Sequence, residues 1–269
     1  MKLSILAASV VIAASAPAFA INVTQDSNAA GLASAIGGSG VTITNASLTS
    51  NTAKPSGTFT GGLNSVGFDT GIVLTTGTTD CVAGPNDEGG CTGSGNSTSL
   101  KFDFESTTGQ VFFKYVFASE EYTQFVNSSF NDTFELRLNG TNIALLPGNA
   151  GVVQINNVNC TTNSSFYRNN VSGEANQPAS CVNQNLDIQY DGLTTVLTAS
   201  ANLLAGVNKF EFFITDVGDS SLDSGVFIQA GSFSSTDPGN KVPEPGSLAL
   251  LGLGLAGLAT MRRRTSSKV

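Results

Sequence analysis

An alternation of apolar and polar side chains over residues 100–105 and 134–139 limits most strongly how this chain can fold. In LKFDFE and in FELRLN every second residue is leucine or phenylalanine. Because the side chains of a β-strand point alternately to opposite faces, both segments predict strands with one buried face. Between them, residues 111–117 (VFFKYVF) are apolar on both faces. That segment predicts a strand in the middle of a sheet.

Short strand-like runs continue along the rest of the chain. They cover residues 41–48, 67–77, 152–155, 186–190, 195–199, 209–215 and 226–233. Residues 27–36 (SNAAGLASAI) instead have helical spacing and precede two glycines, so they predict one short N-terminal helix. Many short strands with a single helix predict the all-β class, as a jelly-roll-like β-sandwich.

The first 20 residues predict a secretory signal peptide. Lys2 precedes an apolar run at residues 3–14, and AFA at residues 18–20 forms an A-x-A cleavage site. We therefore expect an exported protein whose folded domain begins at residue 21.

The C-terminal residues predict a sorting segment rather than part of the fold. An apolar run of about 15 residues lies between two polar motifs, which are Pro243, Glu244 and Pro245 before it and Arg262, Arg263 and Arg264 after it. The run is short for a membrane-spanning helix, which needs roughly 20 residues, and the arginines would stay in the cytoplasm. We predict a single domain over residues 21–242, a sorting segment with a short transmembrane part over 243–264 and a cytoplasmic tail over 265–269.

The predicted domain is strongly acidic. It contains 7 lysine and arginine residues against 19 aspartate and glutamate residues, a net charge of about −12. Such a charge argues against nucleic acid or an anionic membrane as a partner and favours cation binding. The chain also has no histidine. Its absence excludes Ser-His-Asp and Cys-His catalysis and any metal site with histidine ligands.

Four cysteines lie in the predicted exported domain, at Cys81, Cys91, Cys160 and Cys181. An even number in a secreted chain predicts disulfides. Three pairings are open, and we favour the local one, Cys81 with Cys91 and Cys160 with Cys181, because it closes two short polar loops. The paired C-x-x-C spacing of a cysteine zinc site is absent.

Three groups of acidic residues flank predicted strands and are the candidate metal ligands. They are Glu120 with Glu121, Asp132 alone, and Asp216 with Asp219 and Asp223. Strand ends of a sandwich cluster at its rims, so loop carboxylates could meet there and bind calcium with carbonyl and water oxygens. The last group lacks the spacing of an EF-hand loop.

Two other interpretations of these carboxylates stay open. They could be solvated loop residues, or caps that accept hydrogen bonds from turn N–H groups. A pair of them could also serve as the acid and base of a glycosidase, although a chain without tryptophan lacks the aromatic cleft typical of such enzymes.

Several motifs resemble the choice-of-anchor L domain family. They are GFDTGIVLTTG, FKYVFASEEYTQFVNSSFNDTFELRLNG and FFITDVGDSSLDSGVFI, and they occur in the family's order within residues 29–233. The tail VPEPGSLALLGLGLAGLATMRRR resembles a PEP-CTERM sorting signal. The domain resemblance implies a β-sandwich on bacterial surface proteins, without established catalytic residues. The tail resemblance implies export, transient anchoring in the inner membrane, cleavage by an exosortase-type enzyme and association with extracellular polymer.

A looser analogy to CUB-type sandwiches also favours calcium. In those domains an acidic residue, an aspartate that opens a strand and a later loop aspartate bind calcium, and Glu121, Asp132 and Asp216 or Asp223 have the same order. We therefore predict a non-catalytic, calcium-stabilised protein of the cell surface or extracellular matrix. The alternative is a calcium-dependent module that binds matrix polysaccharide.

Overall fold

The computed structural model describes residues 20–87, 96–175 and 177–239, in which thirteen strands and one α-helix form. The first strands and the helix are β1 (Asn22–Gln25), α1 (Ala29–Ile36), β2 (Val41–Ser50), β3 (Ser56–Thr60), β4 (Gly71–Thr75), β5 (Ser97–Ser106), β6 (Gln110–Ser119) and β7 (Thr133–Leu138). The later strands are β8 (Thr141–Asn142), β9 (Tyr167–Asn169), β10 (Gly192–Thr194), β11 (Leu197–Asn202), β12 (Asn208–Thr215) and β13 (Ser224–Gln229).

The strands form two antiparallel sheets. The larger sheet has eight strands in the order β1-β3-β4-β13-β6-β10-β9, with β11 also paired to β6. The smaller sheet has five strands in the order β2-β5-β12-β7-β8. This arrangement confirms the predicted all-β sandwich.

Aromatic side chains fill the space between the sheets. The ring of Phe113 on β6 lies 5.3 Å from that of Phe210 on β12. Tyr115 on β6 lies equally close, 5.3 Å, to Phe134 on β7. Burial of large aromatic area is a main source of folding free energy, so these contacts hold the two sheets together.

Strand β6 is apolar on both faces because the larger sheet is covered on both. Its residues Val116 and Ala118 belong to a second buried cluster on the outer face, with Phe59, Tyr190 and Phe227. The strand pairs with β13, β10 and β11. The prediction that it lies centrally is confirmed.

Helix α1 follows the expected pattern. The Asn28 side chain accepts a hydrogen bond from the N–H of Gly31 at 3.2 Å and so caps the first turn. Leu32, Ala33 and Ile36 are buried, and the helix ends before Gly37. The predicted short N-terminal helix is confirmed.

Two predicted strands are wrong. Residues 152–155 form only isolated bridges, and a short 3₁₀ turn starts at Ile155. Residues 186–190 are not a strand either. There the Asn170 side-chain amide donates to the carbonyl oxygens of Ile188 and Tyr190 at 2.9 and 3.0 Å. A side chain thus satisfies the backbone groups that a ladder would otherwise bind.

The structure confirms the disulfide between Cys160 and Cys181, whose Cα atoms are 5.6 Å apart. Cys81 is also disulfide-bonded, while Cys91 lies outside the described residues. The described part of the chain therefore contains no free cysteine.

The chain divides into two compact units, Met1–Thr236 and Asp237–Val269. Both sheets belong to the first unit. Nearly all of the predicted signal peptide and the whole predicted sorting segment lie outside the described residues. Among the residues that the structure does describe, none forms a helix long and apolar enough to cross a membrane.

Candidate cation site at the rim of the sandwich

Five of the six predicted acidic ligands lie at or close to strand ends. Glu120 and Glu121 follow β6, Asp132 precedes β7, Asp216 follows β12 and Asp223 precedes β13. Strands β6 and β13 belong to the larger sheet, and β7 and β12 to the smaller one. The two sheets therefore bring these carboxylates to one rim of the sandwich, as the sequence predicted. We call Glu121, Asp132, Asp216 and Asp223 the rim cluster.

Asp132 is fixed at the centre of the rim cluster. Its side chain is only 1% exposed. Oδ1 accepts a hydrogen bond from the N–H of Val217 at 2.9 Å, and Oδ2 accepts one from the Ser224 hydroxyl at 2.8 Å. Both donors belong to the segment from β12 to β13, so Asp132 links the smaller sheet's β7 to the start of β13.

Asp216 is buried beside Asp132 without a hydrogen-bond donor of its own. It is 8% exposed, and neither carboxyl oxygen accepts a hydrogen bond of good geometry. The nearby Thr76 hydroxyl lowers the pKa of Asp216. However, the hydrogen bond that this hydroxyl donates, 3.4 Å long, goes to the carbonyl oxygen of Ser224. Burying a carboxylate that accepts no hydrogen bond costs folding free energy unless a proton or a cation binds to it.

Burial and mutual repulsion raise the pKa values of this pair. Burial, then the charge of Asp132, raises the pKa of Asp216 to about 9. Burial raises the pKa of Asp132 to about 6, although the hydrogen bonds from Val217 and Ser224 oppose that rise. The directions indicate a pair of neighbouring carboxyl groups that together favour binding one proton.

Glu121 is the third member of the rim cluster. It is 1% exposed, and its Oε2 accepts no hydrogen bond. Burial, then the charges of Asp132 and Asp219, raises the pKa of Glu121 to about 8. No lysine or arginine of the described residues is among the groups that shift the pKa values of Glu121, Asp132 and Asp216. No lysine or arginine of the described residues therefore offsets the rise of these three pKa values.

The other three predicted ligands have different environments. Asp223 is 1% exposed and accepts a hydrogen bond from the N–H of Thr78 at 3.0 Å. Gly77 makes room for it, since a Cβ there would lie 1.8 Å from the carboxylate oxygens. Asp219 is exposed and accepts from the N–H of Ser221 at 3.1 Å, as a loop residue does. Glu120 is 2% exposed and borders a separate cavity.

The rim cluster does not form a ready cage of carboxylates. In residues 20–87, 96–175 and 177–239, no three acidic or cysteine side chains are arranged so that they could hold a metal ion. A cation at this rim would therefore take most of its ligands from carbonyl and water oxygens, which calcium accepts.

Two sequence models match the chain. The choice-of-anchor L domain matches residues 22–234, and the PEP-CTERM protein-sorting motif matches residues 241–264. The chain belongs to the choice-of-anchor L domain family. No curated protein and no solved structure matches it.

The match to the choice-of-anchor L domain spans both sheets, and the sorting motif begins after a further six residues. Both families are anchoring and sorting families rather than enzyme families. The PEP-CTERM motif implies recognition by an exosortase, export, and a cell-surface or extracellular location.

Sequence reasoning missed several residues of this choice-of-anchor L domain that shape the rim. Ser224 and Thr76 contact the rim aspartates, yet serine and threonine are too common here to attract notice. Asp191 was also missed, although it is 8% exposed and burial raises its pKa to about 7. Its only signal in the sequence is the Asp191-Gly192 pair at the start of β10, a residue pair that is typical of an ordinary turn.

Proposed function

We propose that this choice-of-anchor L protein is a non-catalytic surface domain whose rim binds calcium between Asp132 and Asp216. The observation that carries the proposal is Asp216, a buried carboxylate without a hydrogen-bond donor beside a second carboxylate. Calcium would replace the proton that the pair shares and remove the repulsion between the two charges. Glu121 would add charge nearby, and water or main-chain oxygens would complete the coordination.

The proposed role of calcium is to lock the two sheets at this rim. Asp132 lies at the start of β7 in the smaller sheet and already accepts from Ser224 on β13 of the larger sheet. A cation bound there would connect the loop after β12 to both sheets. A surface protein outside the cell encounters calcium at concentrations that weak extracellular sites can use.

We also propose how the tail acts. The apolar run at residues 247–261 would enter the inner membrane while the arginines stay in the cytoplasm. Exosortase cleavage near Pro243, Glu244 and Pro245 would then release the domain to the surface or extracellular matrix. The sorting motif over residues 241–264 supports this sequence of events.

The test of the calcium proposal is the thermal unfolding midpoint of the exported protein in EDTA and across a calcium titration. A ligand that binds only the folded state, at about 100 times its Kd, adds about 2.7 kcal/mol. For a domain of this size we expect the midpoint to rise by about 5–10 °C.

Two variants of the same loop make the test specific. Asp216→Asn should raise the midpoint in EDTA, because asparagine is neutral without the proton that the buried Asp216 carboxyl must bind on folding, and should abolish the calcium response. The matched control Asp219→Asn, whose residue is exposed, should keep most of the response. A midpoint that does not change with calcium, or that still responds in Asp216→Asn, would refute the proposal.

The second candidate function is binding of extracellular polysaccharide. The observation that favours it is a polar cavity of about 280 Å³ beside the rim, bordered by Glu120 and Leu222. A glycan array probed with and without calcium tests this function, and an array without any bound glycan would exclude the polysaccharides that it displays.

A further inference from the structure

Nine of the eleven described residues that line the cavity beside the rim cluster are polar. Four of its lining residues carry carboxylates, which are Asp87, Glu120, Glu174 and Asp191. Amides and a hydroxyl complete the polar lining, from Asn86, Gln124, Asn170, Asn183 and Ser172. Only Val171 and Leu222 are apolar, and no lysine or arginine is among the described residues that line it.

Asp191 forms a rigid acidic part of the cavity wall. Its side chain is 8% exposed. One oxygen, Oδ1, accepts a hydrogen bond from Asn86 Nδ2 at 2.9 Å, and the same amide donates to the carbonyl oxygen of Asn170 at 3.1 Å. The N–H of Asn170 donates in turn to the carbonyl oxygen of Asp191 at 2.8 Å. These bonds hold the carboxylate in place.

The second oxygen of Asp191 accepts no hydrogen bond from the residues that the structure describes. Burial raises the pKa of Asp191 to about 7, the hydrogen bond from Asn86 opposes the rise, and the charge of Glu174 adds to it. A buried carboxylate with a vacant acceptor at a cavity wall favours a ligand that brings a donor and a positive charge.

We propose that this cavity binds a sugar unit that carries a protonated amine, as in a polymer of free hexosamines. The ammonium group would lie between Asp191 and Glu174. Asn86 could accept a hydrogen bond from a sugar hydroxyl only through its amide oxygen, because its NH₂ group already donates to Asp191 and to the Asn170 carbonyl. A charge-assisted hydrogen bond to a carboxylate is about twice as strong as a neutral one. Uronic acids and sulfated sugars are excluded by the negative charge of the lining.

The size and chemistry of the cavity agree with this ligand class. Its volume is at the small end of the roughly 300–1,000 Å³ that ligand pockets span, so it accepts one ring of a chain rather than a long segment. An apolar peptide side chain would bury the carboxylates without hydrogen-bond donors, which would cost binding free energy. This inference deepens the carbohydrate-binding candidate and rests on it, but it does not depend on calcium binding at Asp132 and Asp216.

The experiment is a calorimetric titration of the exported protein near neutral pH with three trimers of matched length. They are the trimers of glucosamine, of N-acetylglucosamine and of glucose. We expect the glucosamine trimer to bind at least about tenfold more tightly than the other two, because only it carries ammonium groups. Equal affinity for all three, or no binding of the glucosamine trimer, would overturn the inference.

Variants locate the site. Glu174→Gln and Asp191→Asn should each weaken binding of the glucosamine trimer about tenfold, and asparagine at 191 keeps the acceptor for Asn86. The matched control Glu105→Gln removes an exposed carboxylate on β5 of the other sheet and should leave the affinity unchanged. Unchanged affinity in both cavity variants would overturn the assignment to this cavity.

The thermal midpoint of the same samples separates the two proposals. A calcium-dependent rise reports on the rim pair, which neither cavity variant changes. A protein that keeps the rise but binds no glucosamine trimer would overturn the inference and leave the calcium proposal standing.

Discussion

At the scale of single residues, Asp216 and Asp132 show how burial changes carboxylate chemistry. Asp132 has two donors and a pKa raised only to about 6. Asp216 has no donor of good geometry and a pKa raised to about 9. The difference follows from hydrogen bonding, because both side chains are removed from water and only one is compensated.

The raised pKa values predict how the metal-free protein responds to pH. A carboxyl group with a folded-state pKa above its unfolded value stabilises the fold fully below the unfolded pKa, and that stability is lost as pH rises through the folded pKa. For Asp132, Glu121 and Asp216 the window runs from about pH 4 to about pH 9. We expect the free energy of unfolding in EDTA to fall by at least about 2 kcal/mol between pH 5 and pH 9.

Urea unfolding in EDTA at several pH values measures this dependence. Asp216→Asn should flatten the curve, whereas Asp103→Asn, on the smaller sheet away from the rim, should keep the wild-type slope. Stability that rises with pH over this window would contradict the raised pKa values. Calcium competes with protons for the same oxygens, so its stabilising effect should grow as pH increases.

At the scale of secondary-structure elements, β12 shows how alternation determines stability. Phe212 is fully buried between the sheets. Phe213, the next residue, faces the other side, where the Arg137 guanidinium lies 4.3 Å from its ring centre. One strand thus presents the same residue type to two environments.

Alanine substitution should separate these two faces. Phe212→Ala creates a cavity in the core and should lower the free energy of unfolding by about 3–5 kcal/mol. Phe213→Ala loses partial burial and a cation–π contact, a loss of about 1 kcal/mol. Equilibrium urea unfolding gives both values, and equal losses would contradict the assignment of faces.

The loop closed by Cys160 and Cys181 forms one wall of the polar cavity. The carbonyl oxygen of Cys181 accepts hydrogen bonds from Asn169 at 3.2 Å and Gln177 at 2.7 Å, which shape that loop. Removing a disulfide that closes a loop of this length costs about 3 kcal/mol in the chain-entropy model.

Replacing both of these cysteines by serine should therefore lower the thermal midpoint. The calcium response should persist, because the rim cluster lies on other loops. Differential scanning calorimetry with and without calcium tests both statements. Loss of the calcium response in this double variant would show that the rim depends on the disulfide loop.

At the scale of the whole molecule, the domain and its sorting motif have separate tasks. The family match ends at residue 234 and the sorting motif begins at residue 241. Glu244→Ala should leave export intact and stop removal of the tail, because the proposed processing site lies at the Pro-Glu-Pro residues. Immunoblots of membrane and extracellular fractions should show the larger, unprocessed form in the membrane.

The control for this experiment is Ser247→Ala, just after the Pro-Glu-Pro residues, which should be processed normally. Normal removal of the tail in Glu244→Ala would refute the proposed role of this glutamate. The unfolding midpoint of the domain should be the same in both variants.

Local pattern predicted much of the fold because burial of one strand face imposes a two-residue period. Residues 100–105, 134–139 and 209–215 were each found as strands for this reason. Residues 186–190 were not, since the Asn170 side chain binds their carbonyl groups from elsewhere in the chain. No local sequence pattern in residues 186–190 predicts a hydrogen-bond donor from so far along the chain.

The sequence alone determined the family, the sorting motif, the sandwich class and the acidic residues at the rim. These follow from short-range order: periodic burial, motif spacing and charge. Only the tertiary structure decided which carboxylates meet. Asp132 and the N–H of Val217 bond across 85 residues of chain, and such contacts depend on the pairing of distant strands. Burial then decided which of these groups lose their water, and that sets their chemistry.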